Sequence, residues 1–262
     1  MLFRKSLTLR LSIMNKPVRL IRALLGLTNP RTWGVFTETF ERTKFDAAFS
    51  ISYSQGAEDL AFIFTLLADS RIADSSSRNY IDVGAHDPNR FSVTRHLYQS
   101  GWRGVNIDAN KNLGAKFLKW RPRDIFIWAA VGSKTEYTFY AFEETAISTS
   151  NLEWRDGAIR AGNRVTREEK VPGRTLRSII DDYFPEGVGL LNIDIEGSDD
   201  DALMSLELET LEVQRKPKWL LLETSPPVEA ALKSPAVDYA LSNGYTPWLV
   251  LPMGTLLRLD GK

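Results

Sequence analysis

Five short apolar runs, each stopping at polar or small residues, set the terms for what this chain can fold into. They are NYIDVG (79–84), GVNIDA (104–109), IFIWAAV (125–131), VGLLNIDIEG (188–197) and KWLLLETS (218–225). Runs of this length fit strands buried on both faces. The segments between the first of them read as helices: FSVTRHLYQSGW (91–102), closed by Ser100 and Gly101, and the stretch around LGAKFLKW (113–120). Strand, helix, strand in repetition predicts an α/β fold with a mostly parallel sheet and helices on both faces. A further helix precedes the first strand, with Ser54 as its cap and Leu60, Ile63, Phe64 and Leu67 at helical spacing. Another follows Gly197, where Ser198 can cap and Asp199, Asp200 and Asp201 lie at the positive end of the helix dipole. At the C-terminus, TPWLVL and TLLRL flank Pro252, Met253 and Gly254 and read as two strands about a turn, an antiparallel ending. The chain contains no internal repeat and no low-complexity tract.

Two parts are expected. Residues 1–50 form a basic, helical extension, and residues 51–262 form the domain that carries the sheet. No Asp or Glu occurs before Glu38, whereas Arg4, Lys5, Arg10, Lys16, Arg19, Arg22 and Arg31 all do. Such a segment either packs on its own domain or lies on an anionic membrane surface as an amphipathic helix. LIRALLGL (20–27) is interrupted by Arg22 and is too short to span a bilayer. The whole chain balances 33 basic against 33 acidic residues, so its total charge indicates no nucleic-acid partner. The absence of cysteine excludes disulfides, thiolate metal sites and a cysteine nucleophile, and is compatible with a cytoplasmic location, including the inner face of the membrane.

In open parallel sheets, ligands bind beyond the carboxyl ends of the strands. Gly84 ends the first strand beside Asp82, and Asp108 ends the second, where an acid can accept hydrogen bonds from a ribose diol. The turn after the first strand reads Gly84-Ala85-His86-Asp87-Pro88, with one glycine and an extra acid. It lacks the Gly-x-Gly-x-x-Gly needed to cradle a pyrophosphate, and the chain has no P-loop. A nucleoside without phosphates is the expected cofactor, and S-adenosyl-L-methionine is the commonest of these.

SYSQGAED (52–59), YIDVGAHDP (80–88), GWRGVNIDA (101–109), RPRDI (121–125) and LLNIDIEG (190–197), in this order and spacing, resemble the FkbM family of S-adenosylmethionine-dependent methyltransferases. The resemblance implies a class I methyltransferase fold with a Rossmann-like seven-stranded sheet and an antiparallel last strand. It also implies an activity methylating hydroxyls of glycans or other secondary metabolites. By the same resemblance Asp82, Gly84, Ala85 and His86 belong to the cofactor loop, and Asp108 is the ribose-binding acid. Ala129 or Ala130 flanks the adenine, and Asp194 adjoins the cofactor. Gln55, Glu58 and Asp59 close over the methionine end. Asp87 and Asp199 depart slightly from the family pattern.

Methyl transfer from a sulfonium is an in-line displacement, and a hydroxyl acceptor needs a group to take its proton. Asp194 and Glu196, two residues apart at a strand end, fall on one side and are the expected base; His86 is the second candidate. The two carboxylates could instead bind a divalent cation, the less favoured alternative, or Glu196 could fix the Gly197 turn or meet the methionine amine. His96 is expected to be an ordinary helix residue. The polar link over residues 141–175 is read as a specificity loop, with Trp154 as a plate for a sugar ring and Arg155, Arg160 and Arg164 as donors. The expected activity is thus O-methylation of a saccharide: a polysaccharide, lipid-linked glycan or glycolipid signal. A non-sugar secondary metabolite as acceptor and a non-catalytic, membrane-associated protein that only binds the cofactor are the alternatives. A nicotinamide oxidoreductase is disfavoured by the missing glycine fingerprint.

Overall fold

A computed structural model describes residues 52–68, 78–225 and 227–260. The expectations for residues 1–50, and the domain boundary beside them, lie outside the described residues.

The apolar runs form β1 (Asn79–Val83), β2 (Arg103–Asp108), β3 (Ile125–Trp128), and, after three strands of a second sheet, β7 (Leu190–Ile193) and β8 (Trp219–Glu223). The terminal hairpin is β9 (Tyr245–Leu251) and β10 (Gly254–Leu259). The main sheet has seven strands in the order β3-β2-β1-β7-β8-β10-β9. Its first five are parallel, and β10 runs antiparallel to both neighbours. Strand order reverses between β1 and β7, the place where open sheets bind ligands.

Alternation along each strand divides the core in two. Ile81, Val83, Val105, Ile107, Leu191, Ile193, Leu220 and Leu222 face one layer of helices, made by α5 (Leu176–Tyr183), α6 (Asp199–Met204) and α8 (Pro235–Ser242). Tyr80, Leu190, Trp219 and Leu221 face α1 (Glu58–Ala68) and α2 (Arg95–Gln99), meeting Phe62 and Leu97. The remaining helices are α3 (Gly114–Trp120), α4 (Leu152–Arg160) and the single turn α7 (Val228–Ala231).

Several elements differ from the sequence reading. In α1 the buried aromatic is Phe62, while Phe64 and Leu67 are exposed. Helix α1 starts four residues after Ser54, whose hydroxyl and that of Ser52 donate to the buried Asp59 carboxylate at 2.9 and 2.7 Å. Helix α2 is only five residues long because Phe91, at φ +57°, turns the chain before it. It closes as expected, in a Schellman motif: Trp102 N–H donates to Leu97 C=O and Gly101 N–H to Tyr98 C=O.

IFIWAAV is not one strand. It breaks at Ala129, so that β3 stays with β2 while β4 (Ala130–Val131) joins a second sheet of order β4-β6-β5. The link read as a loop is in fact β5 (Glu136–Phe142), α4 and β6 (Val165–Arg174), with β5 and β6 paired antiparallel. Strand β6 escaped the sequence reading because its charged side chains alternate toward solvent and Val171 is its one fully buried residue.

Candidate functional site

The loop after β1 and the turn after β7 meet at the reversal of strand order. Asp194 N–H donates to Val83 C=O at 3.1 Å, and Gly84 adopts φ +78°. A Cβ at Gly84 would lie 1.7 Å from the Asp194 carbonyl oxygen. The glycine is therefore demanded by the neighbouring turn, not only by an approaching ligand.

Beyond this contact the loop is organised by Asp108. Its Oδ2 accepts from His86 N–H at 2.9 Å and its Oδ1 from Asn110 N–H at 2.7 Å. Burial pushes the carboxyl up to about 6. Each oxygen retains a lone pair for a further donor. His86, in left-handed conformation at φ +46°, places Nε2 2.9 Å from Thr145 Oγ1, and its buried Nδ1 has no partner. Burial lowers its pKa, favouring neutral imidazole.

Gly84, His86, Asp108, Ala129, Ala130 and Asp194 share the wall of a narrow cavity. A wider cavity of about 470 Å³ adjoins it, lined by Gln55, Glu58, Trp154, Asp194, Glu196 and Glu223 among others. Asp194 and Glu196 border both.

These two acids do not come together by strand alternation, since β7 ends at Ile193. A turn sets them instead. Glu196 sits at φ +55°. Thr149 Oγ1 donates to Glu196 C=O at 2.8 Å, and Asn151 Nδ2 to Gly197 C=O at 2.5 Å. Asp199 accepts from Ile195 N–H at 3.2 Å and Gly197 N–H at 3.3 Å. The other two acids of the triplet also have tertiary tasks: Asp200 accepts from Ala236 N–H at 2.9 Å, and Asp201 from Tyr137 O–H at 2.7 Å. Ser198 occupies the cap position without a side-chain hydrogen bond.

Glu223, which the sequence reading passed over, completes the group. Strands β7 and β8 pair Ile193 with Leu222, so the next residues, Asp194 and Glu223, stand level. Oxygens of Asp194, Glu196 and Glu223 lie within 4.8 Å of one another. Burial, followed by the charges of Asp194 and Asp199, pushes Glu196 up to about 8. Burial, followed by Asp199 and Glu196, does the same to Glu223, also about 8. The accessible surface of Asp194 opens into the cavities; burial of the remainder and the adjacent Glu223 raise its carboxyl well above the ordinary range. Its signal in the sequence was the first acid after a buried strand.

Other expected site residues are placed elsewhere. Asp82 is 2% exposed and borders neither cavity; its oxygens accept from Thr94 Oγ1 at 2.5 Å and Asn192 Nδ2 at 2.9 Å. It thereby fastens the loop to the sheet. Thr94 also accepts from Arg121, a fully buried guanidinium that donates to Pro88 C=O and Asn106 Oδ1 as well. Arg121 belongs to the RPRDI motif, to which the sequence reading gave no task. Ala85 packs on Leu113 and Phe117, away from the cavities.

On α4, Trp154 reaches the wide cavity and Arg160 a separate depression beside it, also bordered by Trp154. Arg155 lies over the Tyr140 ring at 4.6 Å and pairs with Asp156, while Arg164 is exposed near Glu143; neither borders these cavities. His96 ties α2 to the first turn of α1, with Nε2 3.5 Å from the Asp59 carboxylate.

Sheet order, reversal point and paired cavities define a doubly wound α/β fold with its candidate site at the carboxyl ends of the strands. The model of the methyltransferase FkbM domain matches residues 82–234, more than half of the chain. The chain belongs to the FkbM methyltransferase family, whose members depend on S-adenosylmethionine. Among solved structures it is similar to an O-methyltransferase from Bacillus cereus in complex with SAH, at 11% identity over 91% of this chain and 94% of that one, with a TM-score of 0.39. It is also similar to the delta-N METTL16 MTase domain, at 12% identity over 85% of this chain and 91% of that one, with a TM-score of 0.36. No curated protein matches the chain. Among the described residues no helix is long and apolar enough to cross a membrane.

Proposed function

We propose that this protein transfers the methyl group of S-adenosylmethionine to a hydroxyl of a saccharide. The observation that carries the reading is the position of Asp194 and Glu196 on the boundary between the narrow and the wide cavity. In this arrangement the nucleoside occupies the narrow cavity, with Asp108 accepting from the ribose diol and Ala129 and Ala130 beside the adenine. Gln55 and Glu58 face the methionine end. The acceptor enters the wide cavity against Trp154, whose ring suits the apolar face of a sugar, with Arg160 beyond it.

When the acceptor oxygen lines up behind the methyl carbon, the C–O bond forms as the S–C bond breaks, and sulfur keeps the electron pair as a neutral sulfide. The hydroxyl proton passes to Asp194 or Glu196. Their raised affinity for protons matches them to receive one near neutral pH. His86, held neutral, is the second acceptor for that proton. The basic stretch before Glu38 adds attraction to an anionic membrane surface, which would favour a lipid-linked acceptor at the cytoplasmic face.

The test begins with calorimetry of S-adenosylmethionine, SAH and NAD on the purified protein, followed by transfer of radiolabelled methyl to a glycan panel. Selective binding of the first two, with label entering a glycan as a base-stable ether, is expected. A folded protein that binds neither, or label entering only non-sugar acceptors, would sink the reading.

A further inference from the structure

The wide cavity is bordered by five carboxylates, those of Glu58, Glu144, Asp194, Glu196 and Glu223, and by one cationic side chain, Arg90. Arg90 is already engaged with Glu144 at 3.3 Å. Among the described residues no Lys, Arg or His side chain pairs with Asp194, Glu196 or Glu223; the carboxyls of Asp194 and Glu223 are hydrogen-bonded to one another, and Glu196 N–H donates to Glu223. Glu58 is a second and separate sign. It is only 5% exposed, its Oε2 accepts from Gly56 N–H at 3.0 Å, and its Oε1 has no partner although it stands on the wall of the same cavity. A buried carboxylate oxygen without a donor is costly to leave unpaired. Four carboxylates without a counter-charge call for a cation.

We propose that Asp194, Glu196 and Glu223 bind a divalent cation of the magnesium, manganese or calcium class, with Glu58 adding negative charge from the cavity wall. An all-oxygen donor set selects hard cations over zinc or copper. Ligands on opposite sides of calcium lie about 5 Å apart, and those on opposite sides of magnesium about 4 Å. One oxygen from each of the three carboxylates lies within 4.8 Å of the others, a span that an ion of either size can bridge. Each carboxylate supplies one oxygen. A cation here would hold Asp194 and Glu196 ionised and acidify a hydroxyl that entered its open positions, so that with metal bound the proton passes to His86.

The site is tested without cofactor or acceptor, by titrating Mn2+ into the full chain and reading free metal by electron paramagnetic resonance, with Mg2+ and Ca2+ as competitors. One Mn2+ per chain, displaced by one of the competitors, is expected. Glu223→Gln should weaken binding by at least about tenfold, a lower bound taken from the loss of outer-shell partners. Glu136→Gln, which removes an exposed acid paired with Lys170, should leave it unchanged. SAH affinity in the absence of metal verifies that Glu223→Gln is folded. No bound Mn2+ up to about 1 mM, the weak end for oxygen sites, would overturn the proposal, as would equal binding by wild type and a folded Glu223→Gln. Loss of SAH binding with Mn2+ binding intact would instead count against the methyltransferase reading and leave this one standing.

Discussion

Replacing Gly84 with alanine isolates the contact on which the site is built. Two costs combine at this position. The first is conformational: at φ +78° an L side chain costs about 1–2 kcal/mol, partly offset by about 0.5–1 kcal/mol because alanine loses less backbone entropy than glycine on folding. The second is steric. The new Cβ would stand 1.7 Å from the Asp194 carbonyl oxygen, and the gap must open to at least 3.0 Å by moving the backbone that carries Asp194 and Glu196. Forced overpacking of this kind costs about 1–3 kcal/mol. Gly84→Ala should therefore destabilise the protein by about 2–4 kcal/mol. Gly101→Ala is the internal control, because Gly101 has φ +91° but its Cβ would meet nothing within 4 Å. It should cost about 1 kcal/mol, the conformational part alone. Urea unfolding followed by circular dichroism measures both variants. Equal losses, agreeing within about 0.5 kcal/mol, would refute the close approach of the two strand ends.

Asp108 holds its proton up to about pH 6, so the affinity for SAH should be full above pH 7 and fall as pH drops through 6, by up to tenfold per unit, in calorimetric titrations. Stability runs the other way. The folded chain binds this proton more tightly than the unfolded chain, whose value is near 3.8, so the contribution is fully present below pH 4 and lost as pH rises through 6. Asp108→Asn should flatten both dependences. Arg121→Met removes a buried guanidinium and leaves Asp82 and Asp124 without their cationic neighbour; a loss of about 3–5 kcal/mol is expected in denaturant unfolding, and a loss under 1 would contradict the assigned network. Glu196→Gly relieves a left-handed residue and one of three crowded carboxylates, so the melting temperature should rise while methyl transfer is lost. A fall in melting temperature would show that the Glu196 side chain supports the turn.

Much of the main sheet was legible because its strands announce themselves by composition. NYIDV, LLNI and WLLLE are buried on both faces, and continuous apolar runs leave few other readings. The terminal hairpin was legible for a different reason, since Pro252, Met253 and Gly254 separate two β-rich segments. The second sheet was hidden by a competing tendency. Strand β6, VTREEKVPGR, buries little and turns charged residues to solvent, so it reads as a loop until β5 is seen beside it. The break at Ala129 was hidden too, because which sheet a residue joins depends on its partner strand and not on its own apolar character.

The site was legible in its strand-end acids and illegible wherever register or a turn decides geometry. Asp194 and Glu196 do stand together beside the cavities, but not by strand alternation: their common side comes from a left-handed turn held by Asp199, Thr149 and Asn151, which the sequence places up to 47 residues apart. Asp82 was named as a ligand residue from its position at a strand end. Strand alternation turns it onto the buried face of Thr94 and Asn192, where it holds the loop and borders neither cavity. Glu223 was missed for the converse reason, since its significance comes only from standing level with Asp194 on the adjacent strand. Four non-glycine residues in left-handed conformation, Ala57, His86, Phe91 and Glu196, lie in or beside the segments that border the two cavities. A fold that concentrates strained backbone and crowded carboxylates in one cleft gives up stability there, and a positively charged ligand is the kind of occupant able to return it.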